Sequence, residues 1–414
     1  MQYGHFIGGR WIDSPETIPV YHKFTGEEYA RVGRGTKEIV SEAVTCALET
    51  FHSRRLSEQE RYAILMKAVD IFKKRRDELA EILICEAGKV VKDAYAEIDR
   101  GIQTFLASAE EAKRIGGEVV PLALGPGDNR MAFTVRVPVG VVAAITPFNF
   151  PFNLTAHKVG PALAAGNTVV LKPAQATPII ACVMADILAE AGLPPGFLNV
   201  VNGSGRETGE FLLEDERINM YTFTGSPEVG RRIKSKTGIR KVALELGNNS
   251  PNIVHKDAPD LERAAELCVA RGFANAGQAC ISVQRVYVHR EIFDAFVEKA
   301  AACARKLKCG DPRDPQTDVG PMISEAEAMR AEAWIEEAVR AGAKAVVGGK
   351  RTGAILEPTI LVDVNDQMKV VCQEIFAPVF SILPYDDIEE AFRRANASNL
   401  GLQVGLFTSN LHLA

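Results

Sequence analysis

The 414-residue chain carries 53 acidic against 48 basic residues, a net charge of −5, which excludes a broadly basic nucleic-acid-binding surface. Its 47% hydrophobic and 24% charged content is that of a globular protein long enough for two or more cores. No apolar run approaches the ~20 residues of a membrane span, and the start, MQYGHFIGGRWIDS, lacks the pattern of a signal peptide.

Residues 36 to about 115 read as helices; Ser57 and Glu60 form an S-x-x-E capping box ahead of the periodic run Ile64, Leu65, Ala68, Ile71 and Phe72. In residues 118–138 two short apolar runs flank the turn GPGDN and predict a projecting β-hairpin. From residue 140 strands and helices alternate: GVVAAIT, NTVVLKP, FLNVVNG, NMYTFTG and RKVALELG are strands, with helices between them. Thr177 is expected to cap one of these helices, with Pro178 as its first residue and Gly192 as its stop. This alternation predicts an α/β fold with a Rossmann-like parallel sheet and ligands at the carboxyl ends of its strands. A second α/β pattern follows residue 250, with a helix at 260–272, the strand VQRVYVH, the helix EIFDAFVEKAAACARKL and later strands near AVVGG, APVFSILPY and GLFTS.

The strand ends carry the polar and glycine-rich residues. Asn149, between prolines in TPFNFPFN, can donate to a developing negative charge. Lys172 emerges in LKPAQATP between a strand and a helix, a natural place to meet a ribose or phosphate. GSGRETG at 203–209 is one residue longer than the dinucleotide fingerprint and reads more simply as a turn. In FTGSPEVG, Gly225 and Ser226 open a helix whose free N–H groups suit a pyrophosphate. ELGNNSP leaves Glu245 at the end of the fifth strand.

The eight cysteines, Cys46, Cys85, Cys182, Cys268, Cys280, Cys303, Cys309 and Cys372, form no CxxC pair, so neither a zinc site nor a disulfide framework is expected, and the default compartment is the reducing cytoplasm. Seven have a packing explanation. Cys280, in FANAGQACIS, follows a Gly-Gln-Ala turn where small residues clear space around it, and it reads as a thiol meant to be reached.

Taken in order, TPFNFP, LKPA, FTGS with Gly230, ELG, FANAGQAC, QEIFAPV at 373–379 and the opening FIGGRW make the chain resemble the aldehyde dehydrogenase superfamily over its whole length. The substitutions and GLQVGLFT are most similar to the branch acting on lactaldehyde and, without phosphorylation, on glyceraldehyde 3-phosphate. The resemblance implies an NAD(P)-binding domain at 1–117 and 139–247, an oligomerisation hairpin at 118–138 and a catalytic domain at 248–414. It also implies a nucleophile at Cys280, a general base at Glu245 and an oxyanion donor at Asn149. Lys172 and Ser226, with Gly225 and Gly230, would hold the adenosine ribose and pyrophosphate; Glu374 would hold the nicotinamide ribose and Phe376 would pack near the nicotinamide. Gly277 and Ala279 would leave room for substrate and cofactor, and Arg100 and His157 would border the substrate entrance and favour a small polar or anionic aldehyde.

Gln175 stands where NAD-preferring relatives commonly carry an acidic residue; without that charge to repel a 2′-phosphate, NADP is expected to be accepted, with a lean towards it over NAD. Two residues depart from the family pattern, Asn248 and Ala377, each in place of a common glycine, and both bear on how the nicotinamide moves. Family members continue past NLHLA, so the chain reads as a fragment of a protein that is a homodimer or homotetramer at full length. The competing readings are a cofactor-independent thioesterase or esterase using Cys280 and Glu245, and a silent binding protein on the same fold.

Overall fold

The computed structural model describes residues 1–122, 130–249 and 251–414. They form two compact units: Met1–Val20, Glu28–Ile82 and Tyr95–Glu245 make the first, and Tyr21–Glu27, Leu83–Ala94 and Leu246–Ala414 the second.

The first unit is built on a seven-stranded sheet. In chain order its strands are β1 (His5–Ile7), β2 (Arg10–Ile12), β3 (Val141–Ile145), β4 (Thr168–Lys172), β5 (Leu198–Val200), β6 (Met220–Thr224) and β7 (Lys241–Glu245). Their spatial order is β7-β6-β3-β4-β5-β1-β2. The five strands β3–β7 are mutually parallel, with Val141 opposite Thr168, Leu198 opposite Val169 and Thr224 opposite Glu245. The amino-terminal strands β1 and β2, absent from the sequence reading, extend the sheet antiparallel, through Phe6 opposite Val200 and Trp11 opposite Phe6.

Helices α1 (Lys37–Ser53), α2 (Glu58–Lys74), α3 (Arg76–Ala87) and α4 (Val91–Ala112) fill the predicted helical region. The capping box at Ser57 is complete: its hydroxyl accepts the Glu60 N–H at 3.2 Å and the Glu60 carboxylate accepts the Ser57 N–H at 2.7 Å. Behind it Phe72 meets Phe105 and Phe152, with ring centroids 4.9 Å and 5.2 Å apart. Between β4 and β5 runs α6 (Ile179–Glu190), preceded in the chain by α5 (Asn153–Ala164) between β3 and β4; α6 is apolar all round and correspondingly buried. Its start corrects one expectation. Pro178 is itself the cap residue, in helical conformation, and the Thr177 side chain is fully buried and caps nothing. The expected hairpin is present as Val119–Val120 paired antiparallel with Ala132–Phe133; its turn GPGDN lies outside the described residues.

The second unit holds a six-stranded sheet with the residue order 344–347, 359–362, 379–385, 285–289, 251–254, 405–407, parallel throughout except for its first pair. Phe273 stacks on Phe380 with centroids 5.1 Å apart, among the buried Tyr287, Phe296 and Tyr385. The junction of α3 and α4 belongs here: Lys23 N–H donates to the Cys85 carbonyl at 3.0 Å and Val91 N–H to the Pro312 carbonyl at 3.1 Å.

Two lysines are buried in the first unit. Lys158 on α5 is 5% exposed and donates to the Thr224 hydroxyl at 2.8 Å; Lys172 is 3% exposed and donates to the Pro173 carbonyl at 3.0 Å. Burial lowers both to about 8; at Lys158 the Glu245 carboxylate opposes the shift. The folded-state value lies below the unfolded one, so between about pH 8 and pH 10 the unfolded chain holds more protons at Lys158. Stability from this residue therefore rises with pH across that window. Comparing urea unfolding of the wild type with Lys158→Met, the free-energy difference should climb by about 2 kcal/mol in favour of the wild type from about pH 8 to about pH 10. A flat difference would contradict a desolvated ammonium at this position.

Candidate active site

The first unit places most of the predicted polar residues at the carboxyl ends of β3, β4, β6 and β7. After β3, Asn149 is buried in a loop whose exit is fixed by the Glu97 carboxylate, which accepts the N–H groups of Phe152 at 2.8 Å and Asn153 at 3.1 Å. After β4, Lys172 is buried and Gln175 stands exposed on the following turn. After β6, Gly225 donates to the Glu245 carbonyl at 3.0 Å, and Ser226 caps α8 (Pro227–Thr237), the short α7 (Thr208–Glu214) preceding it in the chain. The Ser226 hydroxyl accepts from Val229 at 3.4 Å, while the buried Gly230 continues the first turn by donating to the Ser226 carbonyl at 3.0 Å. Glu245 is the exposed last residue of the edge strand β7. In GSGRETG residues 205–207 form a turn that leads into α7, and at Gly203 a β-carbon would stand 2.0 Å from the Thr208 hydroxyl, which itself donates to the Gly35 carbonyl at 3.1 Å.

Arg100 on α4 and His157 on α5 line one cavity of about 430 Å³, with Asp99, Gln103, Thr104 and Ala107. The acidic member is already engaged: both Asp99 oxygens accept from Arg76, at 2.7 Å and 2.6 Å. Arg100 therefore sets the sign of the cavity. His157 titrates below the usual histidine range, first through desolvation by the surrounding wall and then through the neighbouring Arg100 charge, so near neutral pH it is an uncharged hydrogen-bonding group.

In the second unit, α9 (Leu261–Phe273) ends in a left-handed turn at Asn275, Ala276 and Gly277, with φ of 52°, 53° and 69°. Only the last is a glycine, and each of the others costs ~1–2 kcal/mol in this conformation. Gln278, Ala279 and the half-buried Cys280 follow directly. The structure gives Gly277 a different purpose from the predicted clearance for ligands: a β-carbon there would stand 1.9 Å from the Ala377 carbonyl oxygen. Ala279 is likewise buried rather than lining open space. The neighbouring segment carries Glu374, whose carboxylate accepts the Asn248 N–H at 2.9 Å and whose pKa is raised by burial, and Phe376, held at φ 50°.

Two of the side chains that sequence reasoning missed are Gln284 and Lys158. Gln284, 1% exposed, receives the Ile375 N–H at 3.0 Å and donates to the Asn248 carbonyl at 3.2 Å, tying the segments on either side of Glu374 and Asn248 together. Its signal was a lone amide entering an apolar strand. Lys158 was the other, a cation in a helix of small and apolar residues. Among the remaining thiols, burial pushes Cys268 up to about 11, and none of the eight cysteines forms a disulfide. Among the described residues no group of three or more His, Cys, Asp or Glu could hold a metal ion, and no helix is long and apolar enough to cross a membrane.

In the first unit the donors fit the pyrophosphate and ribose of an adenosine diphosphate: the N-terminus of α8 offers first-turn N–H groups, Ser226 and a suitable dipole, and Gln175 offers an exposed amide. In the second unit, taken by itself, Glu374 offers a fixed carboxylate able to accept from hydroxyls.

The Aldehyde dehydrogenase family model matches residues 11–414. The 3-sulfolactaldehyde dehydrogenase of Priestia aryabhattai is 54% identical over 414 residues, covering 100% of this chain and 86% of the relative. The lactaldehyde dehydrogenase of Methanococcus aeolicus is 39% identical, covering 99% of this chain and 87% of the relative. Aldehyde dehydrogenase 21 of Physcomitrella patens, solved with its reaction product succinate, superposes with a TM-score of 0.95 at 38% identity, over 99% of this chain and 86% of that one. The chain belongs to the aldehyde dehydrogenase family.

Proposed function

We propose that this enzyme oxidises a small hydroxyaldehyde bearing an anionic group to the carboxylic acid, with NAD(P)+, through a thioester on Cys280. The cavity that pairs Arg100 with His157 carries the substrate reading, because its acidic neighbour Asp99 is engaged by Arg76 and leaves a cation to meet a sulfonate or phosphate. The name of the Priestia relative, a 3-sulfolactaldehyde dehydrogenase, points the same way; lactaldehyde lacks the anion and should be a poorer substrate.

The chemistry follows from the residues assigned. The Cys280 thiolate attacks the aldehyde carbon, giving a thiohemiacetal whose oxyanion accepts from the Asn149 amide and the Cys280 backbone N–H. Its collapse breaks the C–H bond and leaves a thioester. NAD(P)+, when bound, supplies the acceptor for that hydride. Glu245 then takes a proton from water as the water attacks the thioester, and the acid departs with the thiol restored. Lys172, Gln175, Gly225, Ser226 and Gly230 are assigned to the adenosine ribose and pyrophosphate, and Glu374 and Phe376 to the nicotinamide end. The apolar strip of Val119, Met131, Phe133, Val135 and Val137, exposed in this chain, is assigned to contact between copies in a homodimer or homotetramer. Eight cysteines without a disulfide suit a reducing, cytoplasmic setting.

Three experiments test this reading. Cys280→Ser should abolish oxidation, Glu245→Gln should give a burst of reduced cofactor that then stalls, and Asn149→Ala should lower kcat by roughly 10²–10³; full steady-state activity in the Cys280→Ser protein would refute the mechanism. Arg100→Ala should raise KM for 3-sulfolactaldehyde by about tenfold or more while leaving KM for lactaldehyde nearly unchanged, since a lost charge-assisted pair costs about 1.5–3 kcal/mol. Equal effects on the two aldehydes would remove Arg100 from the substrate site. For the cofactor, the missing carboxylate at position 175 leaves the 2′-phosphate unopposed, so NADP+ should be accepted and somewhat preferred. Gln175→Glu should raise KM for NADP+ far more than for NAD+; a wild-type enzyme inert with NADP+ would assign the choice to another residue.

A further inference from the structure

The left-handed turn ahead of Cys280 does not hold itself. Two of its three residues are not glycine, and an L-residue in this region relaxes to right-handed or extended backbone unless its surroundings forbid it. The surroundings converge on Asn275. Its backbone N–H donates to the Asp93 carboxylate at 3.2 Å, and its side-chain oxygen accepts from the Lys89 ammonium at 2.9 Å. Its side-chain amide donates to the Gln278 carbonyl at 3.2 Å, and its own carbonyl accepts from the Gln278 amide at 3.3 Å and the Gln278 N–H at 3.1 Å. Gln278 is fixed in turn, accepting the Ile323 N–H at 2.8 Å. Lys89 and Asp93 sit at the junction of α3 and α4, within the same compact unit as the turn.

Lys89 is 1% exposed. A buried ammonium is costly to place and is not needed to fill space, which a methionine would do as well. Among its interactions the ammonium makes a charge-assisted hydrogen bond to the residue of the turn that also bonds forward to Gln278, two positions before Cys280. We propose that Lys89 is a positioning residue for the nucleophile: with Asp93 it locks Asn275 in the left-handed conformation, and the turn so fixed sets where the Cys280 thiol stands. This rests on the assignment of Cys280 as nucleophile.

The test compares Lys89→Met, Asn275→Gly and the double variant with the wild type. It measures the melting temperature, kcat, KM for the aldehyde, and the rate at which iodoacetamide alkylates Cys280, followed by peptide mass with the exposed Cys372 as internal reference. Lys89→Met should lower kcat and the Cys280 alkylation rate by about 10- to 100-fold, with KM for the aldehyde little changed, as expected when a reacting atom is misplaced. Adding Asn275→Gly should recover part of that loss, because glycine takes the left-handed turn without an anchor. A folded Lys89→Met protein with wild-type kcat and alkylation rate would overturn the proposal. So would a double variant no better than Lys89→Met, which would make the loss unrelated to the turn. Should Lys89→Met fail to fold, Asn275→Ala against Asn275→Gly decides: the alanine variant should be about tenfold or more slower, and equal kcat values would overturn the proposal. Activity in the Cys280→Ser protein would instead refute the underlying assignment of the nucleophile.

Discussion

At Gly277 two stretches of main chain come so close that no side chain fits between them: a β-carbon would stand 1.9 Å from the Ala377 carbonyl oxygen and 2.6 Å from the Pro378 nitrogen. The contact dictates much of what surrounds it. Glycine is the only residue that can occupy the position, and its φ of 69° continues a left-handed turn that Asn275 and Ala276 must enter against their own preference. The same contact brings the segment that carries Cys280 against the segment that carries Glu374 and Phe376. Phe376 is itself at positive φ, so both strands of this contact are strained. Gln284 then joins the second segment to Asn248, whose N–H holds the Glu374 carboxylate. The strained backbone lies within a few residues of the assigned nucleophile and of the assigned ribose ligand, and groups already fixed need not be ordered during reaction.

The first unit solves a different problem, that of presenting many polar groups along one edge of a hydrophobic sheet. Parallel strands end on the same side, so every loop leaving β3, β4, β6 and β7 emerges there. Two lysines are drawn inward at the same place. Lys158 and Lys172 both donate to neutral oxygens, from Thr224 and Pro173, rather than to a carboxylate, and their lowered pKa values record the cost. Such groups are poised to change charge near neutral pH, and a ligand anion would stabilise the charged form.

The parallel strands of the first unit were legible because each is a short apolar run followed by a polar or glycine-rich turn, and periodicity reports that directly. The β1–β2 pair was not, because three-residue strands carry too little pattern to separate from loop, and their place in the sheet depends on Val200, almost two hundred residues away in the chain. Ser57 was read correctly as a cap since the partner it needs, Glu60, lies three residues on. Thr177 was misread because the following proline adopted helical backbone itself and left the threonine side chain in the core. The motif order identified the family, but the reason for Gly277 was invisible: glycine is the same letter whether it clears a path for a ligand or admits a distant carbonyl. Lys89, Gln284 and Lys158 were passed over for a related reason. Each acts through partners remote in sequence, and a lone polar residue on an apolar face carries no local sign of what it will meet.

Asn248 and Ala377 stand where glycines are common, beside the assigned nicotinamide ligands, and each contributes to the site through main-chain atoms. Asn248 offers its N–H to Glu374 and its carbonyl to Gln284; Ala377 offers its carbonyl and the following peptide bond to Gly277. A side chain at either position leaves those contacts in place. What changes is the freedom of the backbone, because an asparagine or alanine samples far fewer conformations than glycine. With Gly277 against it, Gln284 bonded to Ile375, and Arg330 donating to the Ile375 carbonyl at 2.7 Å, the segment from Glu374 to Pro378 is held from three sides. The main chain that carries Glu374, the assigned ribose ligand, is restrained by these contacts, and alanine in place of glycine at position 377 tightens the restraint.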